Sequence, residues 1–257
     1  MLFYGIMFSS FVFKLIGMYS KLSNRANSEK ITRWCNLPFH YPKLHRPSVV
    51  FDGNDEVTLP IITMEDDAHI SLGLWGILPD GYDDEWEFFQ RVTYTLNAEI
   101  GNIQKQSWLS EALEHRRCLI VVTGYFTTFV KNSEVYHHFV SKIDEKPFLL
   151  AGVYNRTKDG YITFTIIVSA AREFIRKIHN VNGLMPLSLD KNLKETWLDS
   201  ETTLLEIVDM IQRPSPNDLK SHSISKTLFN NDISYESMLE PFHYEDVPFE
   251  SFDIEKN

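Results

Sequence analysis

Cysteine is nearly absent from this chain of 257 residues, which holds only Cys35 and Cys118. Two are too few for a disulfide scaffold, and reduced thiols in a cytoplasmic protein are the simple expectation. Cys118 lies inside the apolar run CLIVV, which favours a buried small hydrophobe over a nucleophile. Long apolar runs are missing too. Met1 to Phe13 is largely apolar but falls short of the roughly 20 residues that a bilayer span needs. No positive charge precedes it, as one would in a signal peptide. We read a strand at 1–8 and then an amphipathic helix over 11–27 that carries Phe11, Leu15, Met18 and Leu22. No membrane association is expected.

Basic residues are outnumbered, 25 against 35 acidic, giving a formal net charge of -10. From Glu201 to Asn257 there are 12 acidic and 4 basic residues, so the tail holds most of the excess. Nucleic-acid binding draws much of its free energy from Lys and Arg neutralising phosphates. No basic stripe is visible. Arg116 with Arg117, and Arg172 with Arg176 and Lys177, are the densest basic spots, and both fit solvated helix surface equally well. No Gly-rich phosphate loop or Walker-type lysine motif is present. His137 and His138 are adjacent, so on a strand they point to opposite faces. With His40 and His45 they give no zinc-type spacing. No metal and no cofactor is expected.

What the chain does have is aromatic and β-branched residues. Its 18 Phe, 11 Tyr and 5 Trp favour β-rich packing. Strands are expected at 58–62, 70–77, 117–123, 147–154 and 161–169, the last two joined by the turn NRTKDG. The run 117–123, apolar after its first residue, suits a strand covered on both faces. Helices are expected at 83–91, 107–115, 193–198 and 201–212, and at 170–179 with Ser169 as its cap. Residues 185–189 read as extended. The fold class is α+β: one domain on a curved, barrel-like, mainly antiparallel sheet with short peripheral helices. The domain is expected over 1–212, with 213–257 an acidic extension that docks in part or stays disordered.

Several blocks, in order, resemble one family. They are LWGILP at 74–79, TLNAEIGNI at 95–103, RRCLIVVTGYF at 116–126, FLLAGVY at 148–154, TFTIIVSAA at 163–171, IHNVNGLMPLSL at 178–189 and TWLD at 196–199. Together they are similar to the SRAP proteins (SOS-response-associated peptidase, or abasic-site-processing, proteins), most closely the Bacteroides-like branch. The opening MLFY resembles the family's methionine-cysteine start. The resemblance implies a cysteine at the exposed amino terminus, whose free amine and thiol trap the aldehyde of an abasic site in single-stranded DNA. The same nucleophile would remove the initiator methionine. An asparagine, an arginine, a glutamate and a histidine would position the sugar, hold phosphate and move protons.

At most of these positions the chain departs from the pattern. Leu2 stands where the cysteine is expected, and leucine supplies no thiol. Asn97 matches the asparagine and His179 the histidine. Glu99 stands for the phosphate-facing arginine, which reverses the charge. Gly101 replaces a second acidic residue, Thr127 the catalytic glutamate, Thr128 the neighbouring tryptophan and Leu184 an arginine. Each retained residue also has a structural reading: Asn97 as a turn-capping residue, and His179 as a helix-end histidine held by a backbone carbonyl. Trp75 and Tyr125 suit either the cleft wall or the core. The expectation is therefore a monomeric, cytoplasmic SRAP-like protein without covalent or autoproteolytic activity, acting as a binding or accessory protein. Its partner would be a protein. Single-stranded DNA is implied by the resemblance and disfavoured by charge. The alternative is an abasic-site-processing enzyme of the SOS and DNA-damage response. A noncovalent hydrolysis by His179 with Asn97 ranks last, because no nucleophile is evident.

Overall fold

The computed structural model describes residues 19–103, 105–212, 218–230 and 235–252. The strands, in chain order, are β1 (Lys21–Asn24), β2 (Ser48–Asp52), β3 (Thr58–Thr63), β4 (Ser71–Trp75) and β5 (Asn97–Glu99). Next come β6 (Arg117–Val122), β7 (Gly124–Lys131), β8 (Glu134–Lys142), β9 (Phe148–Arg156) and β10 (Ile162–Ala170). The last are β11 (Leu184–Pro186), β12 (Ser188–Leu189), β13 (Leu219–Ile224) and β14 (Glu250–Phe252). The helices are α1 (Ser28–Cys35), α2 (Trp86–Val92), α3 (Ile100–Ile103), α4 (Ser107–His115), α5 (Glu173–Ile178), α6 (Lys194–Leu198) and α7 (Leu204–Gln212). Among the described residues no helix is long and apolar enough to cross a membrane.

Strands β10, β4, β3, β6 and β9 pair in that order, and β9 pairs back onto β10, which closes a five-stranded barrel. All its pairings are antiparallel except β10 with β4. β5 continues the parallel edge of β10 where β4 stops, with Asn97 opposite Ile166. Alternation explains why these runs are apolar throughout. On β6, Cys118, Ile120 and Val122 enter one core cluster, together with Phe148, Leu150 and Tyr154 of β9 and Phe164, Ile166 and Val168 of β10. Leu119 and Val121 enter a second cluster, with Leu149, Ala151 and Val153 of β9 and helix residues Ile31, Leu109, Leu113, Trp197 and Ile207. One side of each strand thus faces the first cluster and the other side the helices, as the period of two requires. Gly152 marks a close approach: a Cβ there would stand 2.5 Å from Thr165 O and 2.6 Å from Ile120 Cδ1.

The second sheet has six strands in the order β14-β13-β8-β7-β1-β2, all antiparallel. The acidic tail contributes β13 and β14 to it.

Several local expectations change. The strand expected at 1–8 and the start of the helix over 11–27 lie outside the described residues. Where that helix would end, Lys21–Asn24 is a strand between β2 and β7, because Leu22 pairs with Phe51 on one side and Tyr125 on the other. The next helix begins only after Asn27, whose side chain accepts from Lys30 N. Ser169 caps no helix: it is still in β10, opposite Met185, and α5 starts at Glu173. Arg117 is not on a solvated helix. It is fully buried on β6, and its guanidinium donates to Trp197 O (2.6 Å), Leu113 O (3.0 Å), Glu114 O (2.7 Å) and Asp199 O (2.6 Å). Four carbonyls at helix ends thereby satisfy one buried cation.

Candidate functional site

Tyr19, two residues before β1, gathers several of the residues singled out in the sequence. Its backbone N–H donates to Asn97 Oδ1 (2.8 Å), and Asn97 Nδ2 donates back to Tyr19 O (2.7 Å). Its phenol donates to Leu184 O (2.9 Å). Its ring lies 5.1 Å from the His179 ring and meets Tyr125 edge-on at 5.7 Å. Only 3% of Tyr19 is exposed, so the side chain occupies this space rather than lining it. Burial, with Tyr125 close by, raises the phenol's pKa well above its ordinary value, and it stays protonated.

His179 closes α5 and is 3% exposed. Its Nε2 faces Asn182 Oδ1 at 3.0 Å. That oxygen also accepts from Leu184 N–H (2.9 Å), so the proton between them belongs to Nε2. Nδ1 faces the Thr128 backbone, 3.0 Å from its carbonyl oxygen and 3.2 Å from its N–H nitrogen. Both ring nitrogens are committed to the fold. Burial lowers the pKa, outweighing these hydrogen bonds, so the ring is neutral near pH 7.

The other positions complete the picture. Thr127 is buried, and its hydroxyl donates to Ile178 O (2.9 Å). Glu99, at the end of β5, accepts from Asn102 Nδ2 (2.5 Å). Leu184 opens β11, and its side chain packs on the first core cluster. Trp75 and Tyr125 are fully buried, and Trp75 Nε1 donates to Leu96 O (2.9 Å). Gly101 sits in α3. Leu2 lies outside the described residues. The thiols lie in the core: burial pushes Cys35 up to about 12, and Cys118 well above its ordinary value. His45 bonds to Ala26 O, and His138 to Pro248 O.

The family model for SOS response associated peptidase (SRAP) matches residues 18–231. This chain belongs to the SRAP family. It is 24% identical over 189 residues to an abasic site processing protein of Saccharomyces cerevisiae, covering 71% of this chain. The match spans 50% of that relative's length. Among solved structures, a protein from Bacteroides thetaiotaomicron shares the fold with a TM-score of 0.75 at 20% identity, over 86% of this chain and 98% of that one. A protein from Bordetella bronchiseptica gives a TM-score of 0.63 at 14% identity, over 80% and 99%. A phage-related protein of the same organism gives 0.56 at 13%, over 80% and 94%.

Two residues of this cluster, Tyr19 and Asn182, carry no clear signal in the sequence. Tyr19 falls within the helical pattern over 11–27, although Met18-Tyr19 followed by KLSN offers a second methionine-led start for the match. Asn182 went unnoticed, although it stands three residues after His179.

Proposed function

We propose that this SRAP chain performs no covalent abasic-site capture and acts by binding, with Tyr19 filling the place where the family's cysteine would work. This moves that place from Leu2 to Tyr19, and neither residue supplies a thiol. The observation that carries the proposal is the lock on Tyr19. Met18 precedes it in the sequence, so its nitrogen is a peptide amide, and that amide is held by Asn97. A phenol in place of a thiol cannot close a five-membered ring on an aldehyde with an amide nitrogen. Thr127 offers no proton in the carboxylic range, and His179 has no free nitrogen to give. Glu99 repels phosphate where attraction would be needed. The ligand this surface suits is a protein with a neutral or basic face.

The test is incubation of the full chain with a single-stranded oligonucleotide carrying one abasic site, followed by a denaturing gel. No heat-stable adduct is expected, and a retarded band that survives boiling refutes the proposal. Affinity for single-stranded DNA at physiological salt should be weaker than about 10 μM by fluorescence anisotropy. Tight, salt-sensitive binding would favour a second reading, abasic-site processing on single-stranded DNA. The yeast relative's name and the retained Asn97 and His179 are what speak for that reading.

A further inference from the structure

Apart from the Tyr19 site, one cluster of ligand-type side chains stands out among the described residues. His40, Asp66 and His69 offer one ligand atom each, and all three atoms lie within 4.8 Å of one another. His40 Nε2 is 2.6 Å from Asp66 Oδ2, and His69 Nδ1 is 3.0 Å from Asp66 Oδ1. The imidazoles stack with centroids 4.3 Å apart. We propose that His40, Asp66 and His69 form a binding site for one divalent transition-metal ion of the zinc class.

The backbone holds these residues in place from two directions. Phe39 and Ile70 form an isolated parallel bridge, with Ile70 N–H donating to Pro38 O (2.8 Å) and His40 N–H to Ile70 O (3.1 Å). His40 follows one bridge residue and His69 precedes the other, so the bridge fixes the separation of the two imidazoles. Asp66 is set by its own N–H, which donates to Thr63 Oγ1 (3.2 Å) at the end of β3. Two imidazoles and a carboxylate are the ligand set that zinc and its neighbours prefer. Ligand atoms around a tetrahedral zinc, with bonds of about 2.0 Å, stand about 3.3 Å apart. The two His–Asp spacings, 2.6 and 3.0 Å, lie below that value, so the side chains open by several tenths of an ångström to seat the ion. The side chains are between 30% and 41% exposed, which leaves the fourth position open to water. Asp67, the next residue in the chain, adds negative field for a cation, while Glu65 is paired with Arg156 (2.7 Å).

The competing possibility is a carboxylate that only accepts hydrogen bonds from two histidines. Calorimetric titration of the chelator-treated full chain with zinc chloride separates the two. One ion per chain is expected, with His69→Ala, His40→Ala and Asp66→Asn each weakening binding at least tenfold. His115→Ala, at an exposed histidine elsewhere, should leave the Kd unchanged. Cobalt substitution should give visible ligand-field bands in the wild type and lose them in Asp66→Asn, a near-isosteric change that keeps the chain folded. Zinc should raise the Tm of the wild type and not that of Asp66→Asn. No binding by the wild type, or binding indifferent to all three ligand variants, overturns the proposal.

Discussion

Acidification should weaken this protein well before its carboxylates protonate, and the β7–β8 hairpin is the reason. His137 and His138 lie side by side on β8, opposite Thr128 and Thr127. His137 packs against the Phe229 ring, and His138 is fully buried, with its Nε2 at Pro248 O. Burial lowers both pKa values from the ordinary 6.5 to about 4. The sign follows from where the proton binds: below pH 6.5 the unfolded chain takes up protons that the folded chain refuses. Stability is therefore whole above pH 6.5 and falls as the pH drops towards 4. Each histidine contributes about 1.4 kcal/mol of loss per pH unit in that window. At pH 5 this amounts to about 2 kcal/mol per histidine and about 4 kcal/mol for both, a large share of a typical total of roughly 5–15 kcal/mol. His45, His179 and His222 are lowered in the same direction and add to the loss. Urea unfolding followed by tryptophan fluorescence at pH 7.5, 6.5, 5.5 and 5.0 reads the slope (about four points suffice for a linear fit). The double variant His137→Gln/His138→Gln should flatten most of it. A wild-type stability at pH 5 within about 1 kcal/mol of that at pH 7.5 refutes the reasoning.

Three further outcomes follow from the packing. Arg117→Ala strips four helix-end carbonyls of their donor, two of them buried, and empties the side chain's space. It should cost about 3–5 kcal/mol and lower the Tm by roughly 10 °C in calorimetry, and a drop under about 3 °C would count against it. Gly152→Ala pushes a methyl into Thr165 O and Ile120, and denaturant unfolding should show a loss of about 1–3 kcal/mol. Tyr19→Phe removes only the bond to Leu184 O, so about 1 kcal/mol should disappear from the unfolding free energy. None of that loss should appear as gained DNA adduct.

The barrel strands were legible because doubly covered strands write themselves as unbroken apolar runs, and Arg117–Val122 is one. Helix Ser107–His115 was legible from end to end through Trp108, Ala112 and Leu109, and the fold buries Leu113 as well. Boundaries failed where a residue's alternatives are decided by distant partners. Ser169 reads as a cap until Met185 arrives beside it. Arg117 reads as surface until carbonyls 80 and 82 residues away enclose it. For the site, the block pattern named Asn97, Thr127, His179 and Leu184; Asn97, His179 and Leu184 meet Tyr19, and Thr127 meets Ile178, the residue before His179. Tyr19 itself was hidden by the apolar segment before it, which extends a helical pattern across Leu22. His40 and His69 stand 29 positions apart in the sequence, so only the bridge between Phe39 and Ile70 reveals that they meet.

The register that joins β8 to β13 matches Lys142 with Leu219 and His137 with Ile224, partners 77 to 87 positions apart. During synthesis, then, β8 leaves the ribosome long before its outer neighbour exists, with one whole row of amides and carbonyls unclaimed. Such an open flank invites other nascent chains to pair. A product that stopped at Gln212 would keep that flank for life, so its fate would be self-association rather than a smaller working protein.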